Sequence, residues 1–166
     1  MDRPRIIIDT NFGKDDAVAI LLALAERARL DLCGITTVAG NVPLAMTTAN
    51  ALRLVELAGR TDVPVFAGAS RPLLRPLTTA EFICGPEGLD GAALPPPRAL
   101  PVARHAVAFL IDTLKAAPDH AVSLCALGPS TNIALAFAQE PGLVAKLARL
   151  VVMGGARDLG NITPSA

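Results

Sequence analysis

The sequence has no tryptophan and no tyrosine, and aromatic residues make up only 3% of its 166 residues. Proteins that hold single strands or unpaired bases stack them on aromatic side chains, so five phenylalanines offer little surface for that task. Lysine and arginine together number 15, as do aspartate and glutamate, and the formal net charge is therefore zero. A balanced charge lacks the excess of cations that binds phosphate backbones. We expect no nucleic-acid partner.

Cysteines and long apolar runs are also scarce. Cys33, Cys84 and Cys125 are far apart among apolar or small neighbours, which argues against a disulfide framework and a cysteine zinc site. The longest apolar run, Ala17 to Ala25, is too short to span a bilayer. The first residues lead into a strand-like run without the apolar core of a signal peptide. We expect a cytoplasmic protein that has no membrane partner.

Short apolar runs alternate with segments of helical period, and 52% of the residues are hydrophobic. Continuous β-branched runs between helices are typical of parallel strands buried on both faces, so we expect an α/β fold with an open, mostly parallel sheet and helices on both faces. The stretch 68–101, rich in glycine and proline, is predicted to be a long loop that covers a site. The predicted strands are 5–9, 32–38, 63–67, 122–127 and 147–153, and the predicted helices are 15–28, 43–58, 102–117 and 131–139.

Three carboxylates and one carboxamide follow the first strand within eight residues, at Asp9, Asn11, Asp15 and Asp16. In parallel sheets the site lies at the carboxyl ends of the strands, so this turn should meet the turns after the other strands. Like charges packed this densely are costly unless a cation or a hydroxyl-rich ligand offsets them. Hard oxygen ligands suit Ca²⁺ or Mg²⁺. The spacing alone leaves open an acidic helix N-terminus whose side chains are solvated.

Residues 9–17 read DTNFGKDDA, and this segment resembles the signature D-x-D-x-G-x-D-D-A of the inosine–uridine-preferring nucleoside hydrolases. The resemblance implies a Rossmann-like fold that cleaves the N-glycosidic bond of ribonucleosides to base and ribose through an oxocarbenium-like transition state. It also implies Ca²⁺ as cofactor and a nucleoside as small-molecule partner. Further similar blocks follow in the family's order at 34–41, 64–69, 85–91, 127–134, 152–156 and 160–164.

Carried over by position, the resemblance assigns residues to the metal and to the sugar. Asp16 would bind Ca²⁺ and Asp9 would support the metal shell. The family's general base falls at Asn11, whose carboxamide can still offer an oxygen to the metal. The backbone carbonyl of Leu127 would be a further metal ligand. Contacts to the sugar would come from Asp15, Asn41, Met153 and Asn161, and Cys84 stands where many members have a histidine.

Two departures from the family pattern bear on activity. Asn11 cannot accept a proton near neutral pH, and losing a positioned base typically costs about 10²- to 10⁴-fold in rate. From the resemblance we also expect the chain, 1–166, to correspond only to the N-terminal part of a single family domain and to be incomplete at its C-terminus. We expect a Ca²⁺-dependent N-ribosyl hydrolase whose activity is impaired. The alternative is an inactive pseudoenzyme that binds a nucleoside, ribose or a protein. The sequence leaves the oligomeric state open, and a truncated apolar sheet edge would favour self-association into a homo-oligomer.

Overall fold

A computed structural model describes residues 3–155, 157, 158 and 160 of the chain. Within them, strands and helices alternate in the order that the sequence predicts, with one short helix added. They are β1 (Arg5–Thr10), α1 (Lys14–Ala25), β2 (Asp31–Thr37), α2 (Leu44–Leu57), β3 (Val65–Ala67), α3 (Glu81–Cys84), α4 (Ala106–Ala116), β4 (Val122–Ala126), α5 (Thr131–Gln139) and β5 (Leu147–Val152), with a 3₁₀ helix at Pro141–Lys146.

The five strands form one sheet in the order β3-β2-β1-β4-β5, and every neighbouring pair is parallel. This confirms the predicted α/β class. Two separate buried cores flank the sheet, one containing residues of α1 and α2 and the other containing residues of α4 and α5. Successive strands are added on one side of β1 as far as β3, and the next strand, β4, is added on the other side of β1. Because each crossover is right-handed, this reversal of direction places the two helix pairs on opposite faces of the sheet. All five strands end at the same edge of the sheet.

Three boundaries differ from the predicted ones by two residues or more. Helix α1 ends at Ala25 and not at Ala28, and the starts of α4 and β3 also differ. Helix α4 begins at Ala106 and not at Val102, because the Val102 N–H donates to the Val65 carbonyl at 2.9 Å and extends the β3 edge. His105 then caps the helix, with Nδ1 accepting from the Val107 N–H at 3.2 Å. Strand β3 begins at Val65, since Pro64 has no N–H to donate. The predicted loop 68–101 contains the short helix α3 and otherwise consists of turns, bends and irregular backbone.

The two edges of the sheet are buried to very different extents. Val65 and Phe66 of β3 are 2% and 5% exposed, and the Phe66 ring stacks on Phe109 of α4 with centroids 3.9 Å apart. In β5, by contrast, Val151 is 50% exposed and Val152 is 53% exposed. Because neighbouring residues of a strand point to opposite faces, β5 is open on both faces. No helix in the described part of the chain is long and apolar enough to cross a membrane.

Candidate functional site

The turn between β1 and α1 is tight and fully packed. Phe12 has a φ of 59° and is completely buried, and its N–H donates to Thr10 Oγ1 at 3.2 Å. A positive φ is uncommon for a bulky residue and is held only where the surroundings fix it. The burial of the Phe12 ring against the core residues of α1 and β2 provides that constraint. The turn therefore presents Asn11 and Gly13 in one fixed arrangement at the end of β1.

Asp16 lies in the first turn of α1, as the sequence predicts, and it is 1% exposed. Its Oδ2 accepts the Gly13 N–H at 2.6 Å, and its Oδ1 accepts from Thr10 Oγ1 at 3.0 Å. Burial raises the pKa of Asp16 to about 6, although these hydrogen bonds favour the charged form. The neighbouring Asp15 is exposed. The acidic pair thus divides into one buried and one solvent-facing carboxylate.

Asp9 is fully buried at the end of β1. Its Oδ1 accepts from Thr36 Oγ1 at 2.5 Å and from Asn132 Nδ2 at 2.8 Å, whereas its Oδ2 has no hydrogen-bond partner among the described residues. Burial raises the pKa of Asp9 to about 6. Within the described part of the chain, neither Asp9 nor Asp16 forms a salt bridge. Both carboxylates are therefore buried at a cost that no cationic side chain offsets.

Asn132 connects four parts of the site from the first turn of α5. Besides its bond to Asp9, its Nδ2 donates to the Thr37 carbonyl at 3.0 Å, and its Oδ1 accepts the Ala69 N–H at 2.8 Å. Sequence reasoning gave no role to Asn132 or to Thr36. The available signals were a polar residue three positions after Pro129 of a glycine-proline turn and a polar residue inside an apolar strand.

Asn11 is wedged between the turns that follow β2 and β4. A Cβ built on Gly128 would lie 2.7 Å from the Asn11 backbone nitrogen, and a Cβ built on Gly40 would collide with the Asn11 side chain. Leu127 lies next to this contact, and its N–H donates to the Asp9 carbonyl at 2.8 Å. The Asn11 Oδ1 is buried and has no partner among the described residues. The strand-end turns after β1, β2 and β4 therefore converge, as the parallel arrangement predicts.

Polar side chains also gather over Gly13. A Cβ built there would lie 2.7 Å from Asp15 Oδ1, 2.8 Å from Asn41 Nδ2 and 3.2 Å from Asp16 Oδ2. Cys84 of α3 is buried near this group. Burial raises the pKa of the Cys84 thiol, and the negative charge of Asp15 raises it further. The structure thus brings together Asp15, Asn41 and Asp16 and places Cys84 beside them.

Met153 is a predicted sugar contact that stands apart from the others. Met153 follows β5 and is 48% exposed, with its N–H donating to the Ala126 carbonyl at 2.8 Å. It lies at the same edge of the sheet as the other turns, but on the open side. Asn161 lies outside the described residues.

The donor set suits a hard cation. Among the described residues, Asp9 Oδ2 and Asn11 Oδ1 are buried without a hydrogen-bond partner at the end of β1. The Asp16 carboxylate bonds to Thr10 and to the Gly13 N–H beside them in sequence, and the Leu127 N–H bonds to the Asp9 carbonyl. In the described residues no three His, Cys, Asp or Glu side chains come together as a metal site, so a cation here would also depend on the Asn11 amide and on backbone carbonyls. Ca²⁺ accepts both of these donor types. The residues present therefore fit such an ion.

Comparison with known proteins gives a consistent result. The family model of the inosine-uridine preferring nucleoside hydrolases matches residues 6–166. An uncharacterised protein of Schizosaccharomyces pombe is 49% identical over 98% of this chain and 52% of its own length. The pyrimidine-specific ribonucleoside hydrolase RihA of Salmonella arizonae is 48% identical over 97% of this chain and 51% of its own length.

Among solved structures, the plant nucleoside hydrolase PpNRh1 superposes with a TM-score of 0.88 and 35% identity, over 99% of this chain and 52% of its own. The chain thus spans about half the length of the relatives it matches.

Proposed function

Since the chain belongs to the inosine-uridine preferring nucleoside hydrolase family, we propose that it forms part of a site for hydrolysis of the N-glycosidic bond of ribonucleosides. The observation that carries this proposal is a pair of buried oxygens, Asp9 Oδ2 and Asn11 Oδ1, at the end of the central strand, which have no hydrogen-bond partner among the described residues. Buried oxygens without partners cost free energy, and a bound cation would offset that cost.

The proposed cation is Ca²⁺, held by Asp16, Asp9, Asn11 and the Leu127 carbonyl. When bound, Ca²⁺ would orient a water and the ribose hydroxyls and would lower the pKa of that water. The chain's own residues contribute preorganisation. Thr10 and the Gly13 N–H fix the Asp16 carboxylate, and Thr36 with Asn132 fixes Asp9, so each oxygen is oriented before any ligand arrives.

Asp15 and Asn41 form the proposed ribose side of the site. An exposed carboxylate accepts hydrogen bonds from vicinal hydroxyls, and an adjacent carboxamide both donates and accepts them. Three aspartates in one turn also place negative charge where an oxocarbenium ion develops positive charge, which stabilises the transition state. Met153, Asn161 and Cys84 are the remaining proposed contacts to the substrate.

Asn11 is the reason we propose impaired turnover. The carboxamide can ligate but cannot take a proton from water, and the structure positions it firmly between Gly40 and Gly128. The same observation favours the second candidate function, an inactive protein that binds a nucleoside, ribose or another protein. RihA is named as pyrimidine-specific, so assays of base release should use uridine as well as inosine.

Location and assembly are further parts of the proposal. Three free cysteines support a reducing, cytoplasmic setting. The open apolar strand β5 supports self-association into a homo-oligomer.

The test is release of base from inosine and uridine in the presence of Ca²⁺. We expect little or no turnover by the wild-type chain, and a gain of about 10²-fold or more in Asn11→Asp that Asp16→Ala abolishes in the same background. Robust wild-type turnover would contradict the impairment. Absence of both ribose binding and turnover in Asn11→Asp would contradict the proposed function.

A further inference from the structure

Residues 80–91 comprise α3 and the turn after it, and we refer to them as the roof segment. The Ala80 N–H donates to the Asn41 carbonyl at 2.9 Å, and the Asp90 N–H donates to the Cys84 carbonyl at 3.0 Å. At Gly88 the backbone approaches the β1–α1 turn so closely that a Cβ would lie 3.2 Å from the Phe12 carbonyl oxygen. The roof segment therefore packs directly on the turn that carries Asn11 and Gly13.

A second set of contacts fixes this segment from α2. Asn50 is fully buried, and its Nδ2 donates to the Glu87 carbonyl at 2.6 Å. Its Oδ1 accepts from Arg53 Nη1 at 2.9 Å, and the same Nη1 lies 3.2 Å from Glu87 Oε2. Arg53 thus orients the Asn50 amide and also holds the Glu87 side chain. We refer to Asn50, Arg53 and Glu87 as the clamp.

A buried asparagine inside a helix is less stable than alanine unless its side-chain amide forms hydrogen bonds, because asparagine has a lower helix propensity and burying an unpaired amide costs free energy. Here both the nitrogen and the oxygen of the Asn50 amide form hydrogen bonds. The nitrogen bonds directly to the Glu87 carbonyl, and the oxygen bonds to Arg53, which in turn contacts the Glu87 side chain. A different residue of α2, Glu56, holds the loop between β3 and α4 at a position outside the roof segment. Glu56 Oε1 accepts the N–H groups of Arg98 and Ala99 at 2.8 and 2.7 Å. Glu56 provides a matched control because its tether lies outside the roof segment.

We propose that Asn50 and Arg53 are positioning residues that hold the roof segment against the acidic turn, so that Cys84 stays beside Asp15 and the ribose side of the site stays assembled. The ligand named in this inference rests on the proposed function, whereas the clamp itself rests on the contacts above. The proposed metal ligands lie in β1, in the turn after it, in the first turn of α1 and after β4, all outside the roof segment. Loss of the clamp should therefore weaken the binding of ribose and leave the binding of Ca²⁺ unchanged.

The experiment measures the alkylation rate of Cys84 by iodoacetamide, with peptide mass spectrometry separating it from Cys33 and Cys125. A buried thiol reacts only when its segment opens, so the rate reports how firmly the roof segment is held. We expect alkylation of Cys84 to be about tenfold faster in Asn50→Ala and in Arg53→Met. The rates of Cys33 and Cys125, and all rates in Glu56→Ala, should match the wild type.

Calorimetric titrations with Ca²⁺ and then with ribose supply the second measurement. A clamp variant should bind Ca²⁺ as the wild type does and ribose about tenfold more weakly. The inference would be overturned if Cys84 were alkylated at the wild-type rate in both clamp variants. It would also be overturned if Ca²⁺ binding and ribose binding weakened equally, or if Glu56→Ala showed the same faster alkylation.

If circular dichroism shows that Asn50→Ala is unfolded, the Arg53→Met variant tests the inference by the same criteria. If the wild type binds neither Ca²⁺ nor ribose, the proposed function fails, and the Cys84 rates in the ion-free protein still decide the clamp.

Discussion

The two outer strands of the sheet are both apolar, yet only one of them is covered. Strand β3 packs between α2 and α4, and its Val65 is 2% exposed. Strand β5 pairs with β4, and its Val151 is 50% exposed. The same contrast extends to the candidate site, because the turns after β1 and β2, which carry the proposed site residues Asn11 and Asn41, are largely buried, whereas Met153 after β5 is half-exposed. A run of β-branched residues thus specifies a strand, while neighbouring helices decide whether that strand is buried.

The largest effect should come from placing a charge on the covered edge. Val65→Asp would bury an unpaired carboxylate, so we expect a loss of about 3 kcal/mol or more in the free energy of unfolding, or failure to fold. The matched change Val151→Asp should cost less than about 1 kcal/mol because that side chain is half in solvent. Urea unfolding of both variants measures the difference. Equal losses would show that β5 is covered in solution.

The next largest effect should come from the network that fixes Asp9. Asn132→Ala would remove three hydrogen bonds, to the Asp9 carboxylate, the Thr37 carbonyl and the Ala69 N–H, so we expect a loss of about 2 to 3 kcal/mol in the free energy of unfolding. Met153→Ala, on the open side of the same sheet edge, should cost less than about 1 kcal/mol. Thermal unfolding by circular dichroism compares the two variants. A small effect of Asn132→Ala would mean that water replaces its contacts.

A smaller effect concerns pH in the ion-free protein. The pKa values of Asp9 and Asp16 are raised by burial to about 6, above the usual 3.8, so the folded state binds more protons than the unfolded state between these values. Stability should therefore rise as the pH falls, by about 1 kcal/mol per carboxyl between pH 7 and pH 5. Urea unfolding at the two pH values in a chelator measures this change. Asp9→Asn should remove about half of it, and a fall in stability over the same range would contradict the burial of uncompensated charge.

Much of the fold could be predicted from the sequence because its signals are local. The period of the apolar residues gave the strand and helix order, and Pro43, Gly59 and Pro118 bounded helices where backbone chemistry requires. The acidic turn and its position at a strand end were equally local signals. The sequence could not indicate that Asn132 bonds to Asp9, since 123 residues separate them. Nor could it distinguish β5 from the buried strands, because exposure depends on neighbours that the strand's own residues do not specify.

The most direct test of the account is a calorimetric Ca²⁺ titration of the wild-type chain, Asp16→Ala and Asn11→Asp. We predict one binding event in the wild type, its loss in Asp16→Ala and tighter binding in Asn11→Asp, because a third full carboxylate would face the ion alongside Asp9 and Asp16. Exposed Asp62→Ala, whose carboxylate pairs with Arg60 away from the strand ends, serves as the control and should bind as the wild type does. Absence of binding in the wild type, or binding unaffected by Asp16→Ala, would contradict the claim that the end of β1 is a cation site.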